Sequence, residues 1–152
     1  MIELIILDMY KTIWSNSKPI RNGLSEFFHR YKDRIFVIAT DDPDKNAVNE
    51  LLDEMGVAEY IKKIYTADDM ILVGGKYEMG KNLGSICEEH NVAKDSTIFI
   101  GDGDRDRIDS RREEIRFIHV PEYVDKNEKF SFDMIDLENL SQKYKDFRAV
   151  NK

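Results

Sequence analysis

The chain has 152 residues, a net charge of −7, 35% charged residues and 41% hydrophobic ones. That is enough material for one domain spanning 1–152 with a real core. The acidic balance argues against a general nucleic-acid binder, which needs a basic face. One cysteine, Cys87, excludes an intrachain disulfide, and no apolar run approaches the roughly 20 residues of a membrane span. The N-terminus lacks a basic region, an apolar stretch and a small-residue cleavage site in that order, so a cytoplasmic protein is expected.

In chain order, residues 2–7 (IELIIL) read as a buried strand that stops at Asp8. Residues 15–22 (SNSKPIRN) read as a loop, in which Lys18 and Arg21 are available to an anionic substrate. Apolar or aromatic residues at 24, 27, 28 and 31 have helical spacing. Residues 34–40 (RIFVIAT) form a second strand ending at Thr40. A helix then starts with Asp42 as N-cap and Pro43 at the first helical position, and stops at Gly56. A third strand falls at about 62–66. A loop with Gly74 and Gly75 precedes a helix expected over 78–90, whose apolar face includes Cys87. Residues 96–100 (STIFI) are a fourth strand and 116–120 (RFIHV) a fifth. Residues 121–133 look least structured, and 134–147 suggest a last helix. His29, His90 and His119 are scattered and read as surface or packing residues. Arg111 to Glu114 read as a solvated helix face.

Strands alternating with helices imply an α/β domain with a mainly parallel sheet of about five strands, covered on both faces. In such sheets ligands gather beyond the carboxyl ends of the strands. Those ends carry Asp8, Thr40 and the run GDGDRD, with Asp102, Asp104 and Asp106. The loop after the third strand adds Lys76, with Lys81 five residues on. A carboxylate ending a buried strand is costly unless its charge is used. Two or three together repel unless a cation neutralises them, and Mg²⁺ suits an oxygen-rich site of this kind. An acidic metal site beside a lysine and a hydroxyl is a phosphoryl-handling arrangement.

The ordered set Asp8, Thr40, lysine and GDGDRD resembles the haloacid dehalogenase superfamily of phosphohydrolases. DMYKTIW is also similar to the D-x-D-x-T-x-W motif of that superfamily's small magnesium-dependent phosphatases. The resemblance implies a three-layer α/β/α, Rossmann-like fold. It implies Asp8 as the nucleophile that forms an aspartyl-phosphate, and Mg²⁺ held by Asp8, the main-chain carbonyl of Tyr10, Asp102 and Asp106. Thr40 and the following amide would hold phosphoryl oxygens, and Lys76 would neutralise charge beside Asp8. Lys76 is preferred over Lys81 because it falls in the loop ahead of the helix expected at 78–90. The receiver fold of response regulators, which also phosphorylates an aspartate, places its acids in a different order.

Two departures qualify the resemblance. Tyr10 stands where the usual catalytic members carry an aspartate that protonates the leaving oxygen and then activates water, help worth about 10²–10⁴ in rate. Asp41 and Asp42 put negative charge next to the phosphate position. The expectation is therefore a slow Mg²⁺-dependent phosphatase or phosphotransferase. The alternative is a catalytically weakened relative that binds Mg²⁺, phosphate or a protein partner without turnover. The segments between the motifs are filled by the elements already assigned, which leaves no room for a cap domain. An open site would admit a small or macromolecular phosphorylated substrate, or borrow a lid from a second copy of the chain.

Overall fold

The computed structural model describes residues 1–75, 78–140 and 146–148. The apolar run near the N-terminus becomes β1 (Leu4–Leu7), buried at every position. It has no polar face because it lies inside the sheet, between β2 (Ile35–Ala39) and β6 (Thr97–Gly101). The strand order is β3 (Ile61–Tyr65), β2, β1, β6, β7 (Arg116–His119), β8 (Asp146–Arg148). Every pairing in this sheet is parallel.

Alternation along the strands splits the core in two. Ile5 and Leu7 face α1 (Leu24–Arg30) and α2 (Lys45–Glu54), through Leu24, Phe27, Phe28, Val48 and Leu52. Leu4 and Ile6 face α3 (Leu83–Glu89), through Leu83, Ile86 and Cys87. A fourth helix, α4 (Asp104–Arg112), packs along β6 and β7. The result is the expected three-layer α/β/α arrangement, with six parallel strands rather than about five.

Four expected elements change. The cap of α2 is Asp44, whose carboxylate accepts from the Ala47 amide at 3.1 Å; Asp42 is engaged elsewhere. Gly56 does end the helix, with φ 74. The expected helix over 78–90 begins only at Leu83, where Asn82 caps it by accepting from the Ser85 amide. Ahead of it lies an antiparallel hairpin of β4 (Ile71–Gly74) and β5 (Glu78–Gly80). Of the last helix expected over 134–147, residues 141–145 lie outside the described residues, and 134–140 are not α-helical: Phe132–Met134 and Leu137–Asn139 are single-turn 3₁₀ segments. Residues 146–148, in that same stretch, extend the sheet as its edge strand.

The loop over 121–133 lacks regular structure but is firmly packed. Tyr123, Phe130 and Phe132 are buried. Arg21, expected at the substrate, is instead buried among them. Its guanidinium pairs with Glu128 at 2.8 Å, donates to the Thr12 carbonyl at 2.7 Å and to the Pro121 carbonyl, and lies over the Phe130 ring. These contacts strap the loop after β1 to the loop after β7.

Candidate active site

Asp8 immediately follows β1, and its amide donates to the Ile100 carbonyl of β6 at 3.0 Å. The chain then turns sharply. The amides of Thr12, Ile13 and Trp14 all point at the Met9 carbonyl, at 3.3, 3.0 and 3.2 Å. This turn brings the Thr12 hydroxyl back to Asp8, 3.1 Å from Oδ2, and to Asp102 Oδ1 at 2.8 Å. One hydroxyl proton serves one carboxylate at a time.

β6 ends at Gly101, and α4 starts just beyond Gly103. Asp106, on the first turn of α4, folds back beneath Gly101. A Cβ at 101 would fall 2.3 Å from Asp106 Oδ2, so only glycine allows this approach. One oxygen each from Asp8, Asp102 and Asp106 lies within 4.8 Å of the others.

Among the described residues, the lysine beside them is Lys81, the alternative to Lys76 in the sequence reading. Its ammonium is 2.8 Å from Asp8 Oδ1 and 2.9 Å from Asp106 Oδ1. Lys76 lies outside the described residues. Because α3 starts only at Leu83, Lys81 is a loop residue ahead of the helix rather than one turn inside it. Its backbone is gripped on both sides by α4. Its amide donates to Asp109 Oδ2 at 3.2 Å, and its carbonyl accepts from Arg112 Nη2 at 2.8 Å. Arg112 Nη1 closes the ring on Asp109 Oδ1 at 2.8 Å. Arg112 therefore does more than line a solvated face.

Three carboxylates around one ammonium cannot share it equally. Burial pushes the Asp8 carboxyl up, but the Lys81 charge and hydrogen bond more than reverse this and keep it ionised. Burial drives Asp106 up to about 7, although Lys81 opposes the rise, and the Asp8 charge adds to it. Asp102 is also raised, by burial and the Asp8 charge, against the Thr12 hydrogen bond. Burial lowers the affinity of Lys81 for its proton, yet Asp8 and Asp106 hold it firmly protonated.

The Tyr10 side chain is placed by two neighbours. Trp14 meets it edge-on, with centroids 5.4 Å apart. Its hydroxyl donates to Asp42 Oδ2. Burial and Asp42 both raise the phenol above its ordinary range, while the Tyr10 and Asp44 hydrogen bonds hold Asp42 below the usual carboxylate range. Asp42 Oδ1 accepts from the Asp44 amide at 2.8 Å, and the Asp42 amide donates to Thr40 Oγ1 at 3.2 Å.

Asp8, Tyr10, Asp41, Lys81, Asp102, Arg105 and Asp106 line one open cleft of about 430 Å³. Asp41 thus faces the site. Thr40 does not line that cleft; it borders a smaller adjoining recess of about 90 Å³, which Lys81 also borders. The hairpin overhangs the cleft, contributing Met79. Arg105 holds it there through the Met79 carbonyl and Glu78. Between Thr40 and Lys81, the described residues hold no separate cap domain.

Sequence reasoning passed over several contributors. His119 donates from Nε2 to the Asp102 carbonyl at 2.9 Å, which leaves Nδ1 to accept from Arg107 at 3.2 Å. It braces the turn that carries Asp102. The signal for Lys81 was present: Asn82 three residues ahead of Ser85 is an N-cap pattern, and ILVGGKYEMG is a Gly-Gly hairpin pattern.

Comparison with known proteins agrees with this fold. A model of the haloacid dehalogenase-like hydrolase family matches residues 8–108. Among solved structures, a haloacid dehalogenase-like family hydrolase from Streptococcus pneumoniae is similar, with a TM-score of 0.61 and 11% identity, over 78% of this chain and 84% of that one. A HAD-superfamily hydrolase of subfamily IA from Geobacter sulfurreducens gives 0.60 and 12%, over 82% and 92%. The 3-deoxy-D-manno-octulosonate 8-phosphate phosphatase of Moraxella catarrhalis, solved with magnesium and phosphate ions, gives 0.53 and 21%, over 86% and 74%. No curated protein matches the sequence.

Proposed function

We propose that this chain, which belongs to the haloacid dehalogenase-like hydrolase family, is a Mg²⁺-dependent phosphohydrolase or phosphotransferase acting through an aspartyl-phosphate at Asp8. The observation that carries this reading is the Asp8, Asp102 and Asp106 cluster closed by Lys81, beyond the carboxyl ends of β1 and β6.

Three carboxylates within 4.8 Å are a hard-oxygen donor set that fits Mg²⁺. Asp8, Asp102 and Asp106 would hold the ion, with the Tyr10 main-chain carbonyl as a further ligand. When bound, it supplies positive charge that screens the phosphate from the carboxylates. The Moraxella phosphatase with magnesium and phosphate ions supports this assignment.

An Asp8 oxygen attacks phosphorus, and the bond to the leaving oxygen breaks. Lys81 keeps Asp8 ionised for that attack and balances charge as the phosphoryl group arrives. Arg105 adds a cation at the rim, while Thr40, in the adjoining recess that Lys81 also borders, would reach phosphoryl oxygens only from that side. With the Tyr10 proton committed to Asp42, the residue at the usual acid position gives the leaving oxygen no proton. Substrates whose leaving groups need none, such as aryl or acyl phosphates, are favoured.

The test is phosphate release from p-nitrophenyl phosphate, with Mg²⁺ and with chelator, for wild type and Asp8→Asn. Mg²⁺-dependent turnover that disappears in Asp8→Asn is expected. Turnover no greater than the Asp8→Asn background contradicts the proposal. That outcome favours the binding-only alternative, which Asp41 and the Tyr10 ring in the cleft would suit.

A further inference from the structure

Among the described residues, five carboxylates but only two cations, Lys81 and Arg105, line the cleft. Lys81 is nearly buried and engaged by Asp8 and Asp106. Arg105 is placed differently. It stands on the first turn of α4, with its side chain 58% exposed. Its partners are on the hairpin: Nη2 donates to the Met79 carbonyl, and Nη1 lies 3.5 Å from Glu78 Oε1. An ion pair that long, exposed at both ends, is worth little, and a carbonyl accepts a hydrogen bond without cancelling charge. A guanidinium has five N–H donors, so the hairpin steadies the group and leaves donors over for a ligand. Gly103, the cap residue of α4, also lines the cleft and makes no side-chain cap bond. The partial positive charge of the helix start therefore adds to that of Arg105.

We propose that Arg105 is a specificity residue that binds a carboxylate on the leaving portion of the substrate, so that the phosphate esters preferred here carry a carboxylate besides the phosphoryl group. This rests on the phospho-Asp8 reading above. The phosphoryl group belongs on the floor of the cleft, against Asp8 and Lys81, whose side chains are 14% and 8% exposed. Arg105, at the exposed rim, meets what the phosphoryl group is attached to. Without a cation there, the carboxylates lining the cleft would repel an anionic leaving portion. A planar, singly charged carboxylate matches a guanidinium through paired hydrogen bonds. A second phosphoryl group would bring up to about two charges into a cleft that already holds Asp41, with one guanidinium to meet them. The hairpin contacts fix the guanidinium before the substrate arrives, which lowers the ordering cost of binding.

The test changes the charge on both sides of the contact. Phosphate release is measured for wild type, Arg105→Met, Arg105→Glu and Lys11→Met. The substrates are phenyl phosphate, 3- and 4-carboxyphenyl phosphate and 4-(aminomethyl)phenyl phosphate. Each kcat/KM is divided by that for phenyl phosphate in the same variant, and the ratios are compared with those of wild type. Leaving-group reactivity and any general loss of activity then cancel. Arg105→Met should lower the ratio for at least one carboxyphenyl phosphate by about tenfold, the scale of a hydrogen bond to a charged group, through KM rather than kcat. Arg105→Glu should lower it further and raise the aminomethyl ratio. Lys11→Met removes the same charge from an exposed lysine that pairs with Glu122 and does not line the cleft; it should leave every ratio unchanged. Unchanged carboxyphenyl ratios in Arg105→Met and Arg105→Glu overturn the assignment. So does an equal fall in Lys11→Met, which would make the effect one of net charge alone. A wild type that releases no phosphate from any of these substrates overturns the phospho-Asp8 reading and the carboxylate site with it.

Discussion

Lys81 concentrates the electrostatics of the site in one side chain. It is nearly buried and touches two carboxylates. Removing one partner of a buried ionic group leaves the others uncompensated, at a cost of about 3–5 kcal/mol. Lys81→Met should therefore lower both stability and activity, with turnover falling by about 10²–10³, the loss typical of one removed charge stabiliser. Lys76→Met should cost less than tenfold. Parallel assays and urea titrations of the two variants decide between the lysines, and equal losses would reinstate Lys76. Gly101 supplies a second test at this scale. Its missing Cβ is what lets Asp106 reach Asp8 and Lys81. Gly101→Ala should push Asp106 out of place and raise the Mg²⁺ concentration needed for half-maximal activity, with overpacking adding about 1–3 kcal/mol of destabilisation. An unchanged Mg²⁺ requirement would show that Asp106 is not needed there.

Among the elements, the strands were readable and the connections were not. β1, β2 and β6 are buried on both faces, so their apolar runs stand out from any neighbouring segment. The site residues tied to strand ends, Asp8 and Asp102, followed directly. Lys81 did not, because its place depends on a return strand of three residues, Glu78–Gly80, too short to show a period of its own. Asp42 matched the cap pattern as well as Asp44 did. What separates them is the Tyr10 hydroxyl, 32 residues away in the chain. Arg21 looked like a free loop cation because its partner, Glu128, is 107 residues distant. Two predictions follow from such long-range contacts. Arg21→Met should cost about 3–5 kcal/mol, since Glu128 and two carbonyls lose their partner, read as a lower urea midpoint at constant slope. Asp109→Asn, which loosens the grip of α4 on the Lys81 backbone, should lower turnover by about 10–100-fold, as outer partners of a metal site commonly do. It should shift the urea midpoint far less than Lys81→Met does.

At the level of the whole molecule, three carboxylates against one ammonium leave the end of the sheet with net negative charge. The acidic chain, at −7, does nothing to relieve it. A cation that binds only the folded form stabilises by mass action, by about 2.7 kcal/mol at a hundredfold excess over its Kd. For a chain of this size that corresponds to a rise in Tm of about 5–10 °C. Mg²⁺ should produce such a rise in wild type, and Asp102→Asn should reduce it. Among the described residues, the hairpin is what overhangs the cleft at this end of the sheet. The expectations for turnover depend on Asp8 carrying the phosphoryl group. The most direct test is to mix the protein with acetyl phosphate and Mg²⁺, quench, and reduce with borohydride. Reduction converts a phosphorylated aspartate to homoserine, which peptide mass spectrometry then locates. Homoserine at position 8, absent when Mg²⁺ is chelated, is the predicted result. Homoserine at another aspartate, or none while phosphate is still released, would contradict the account.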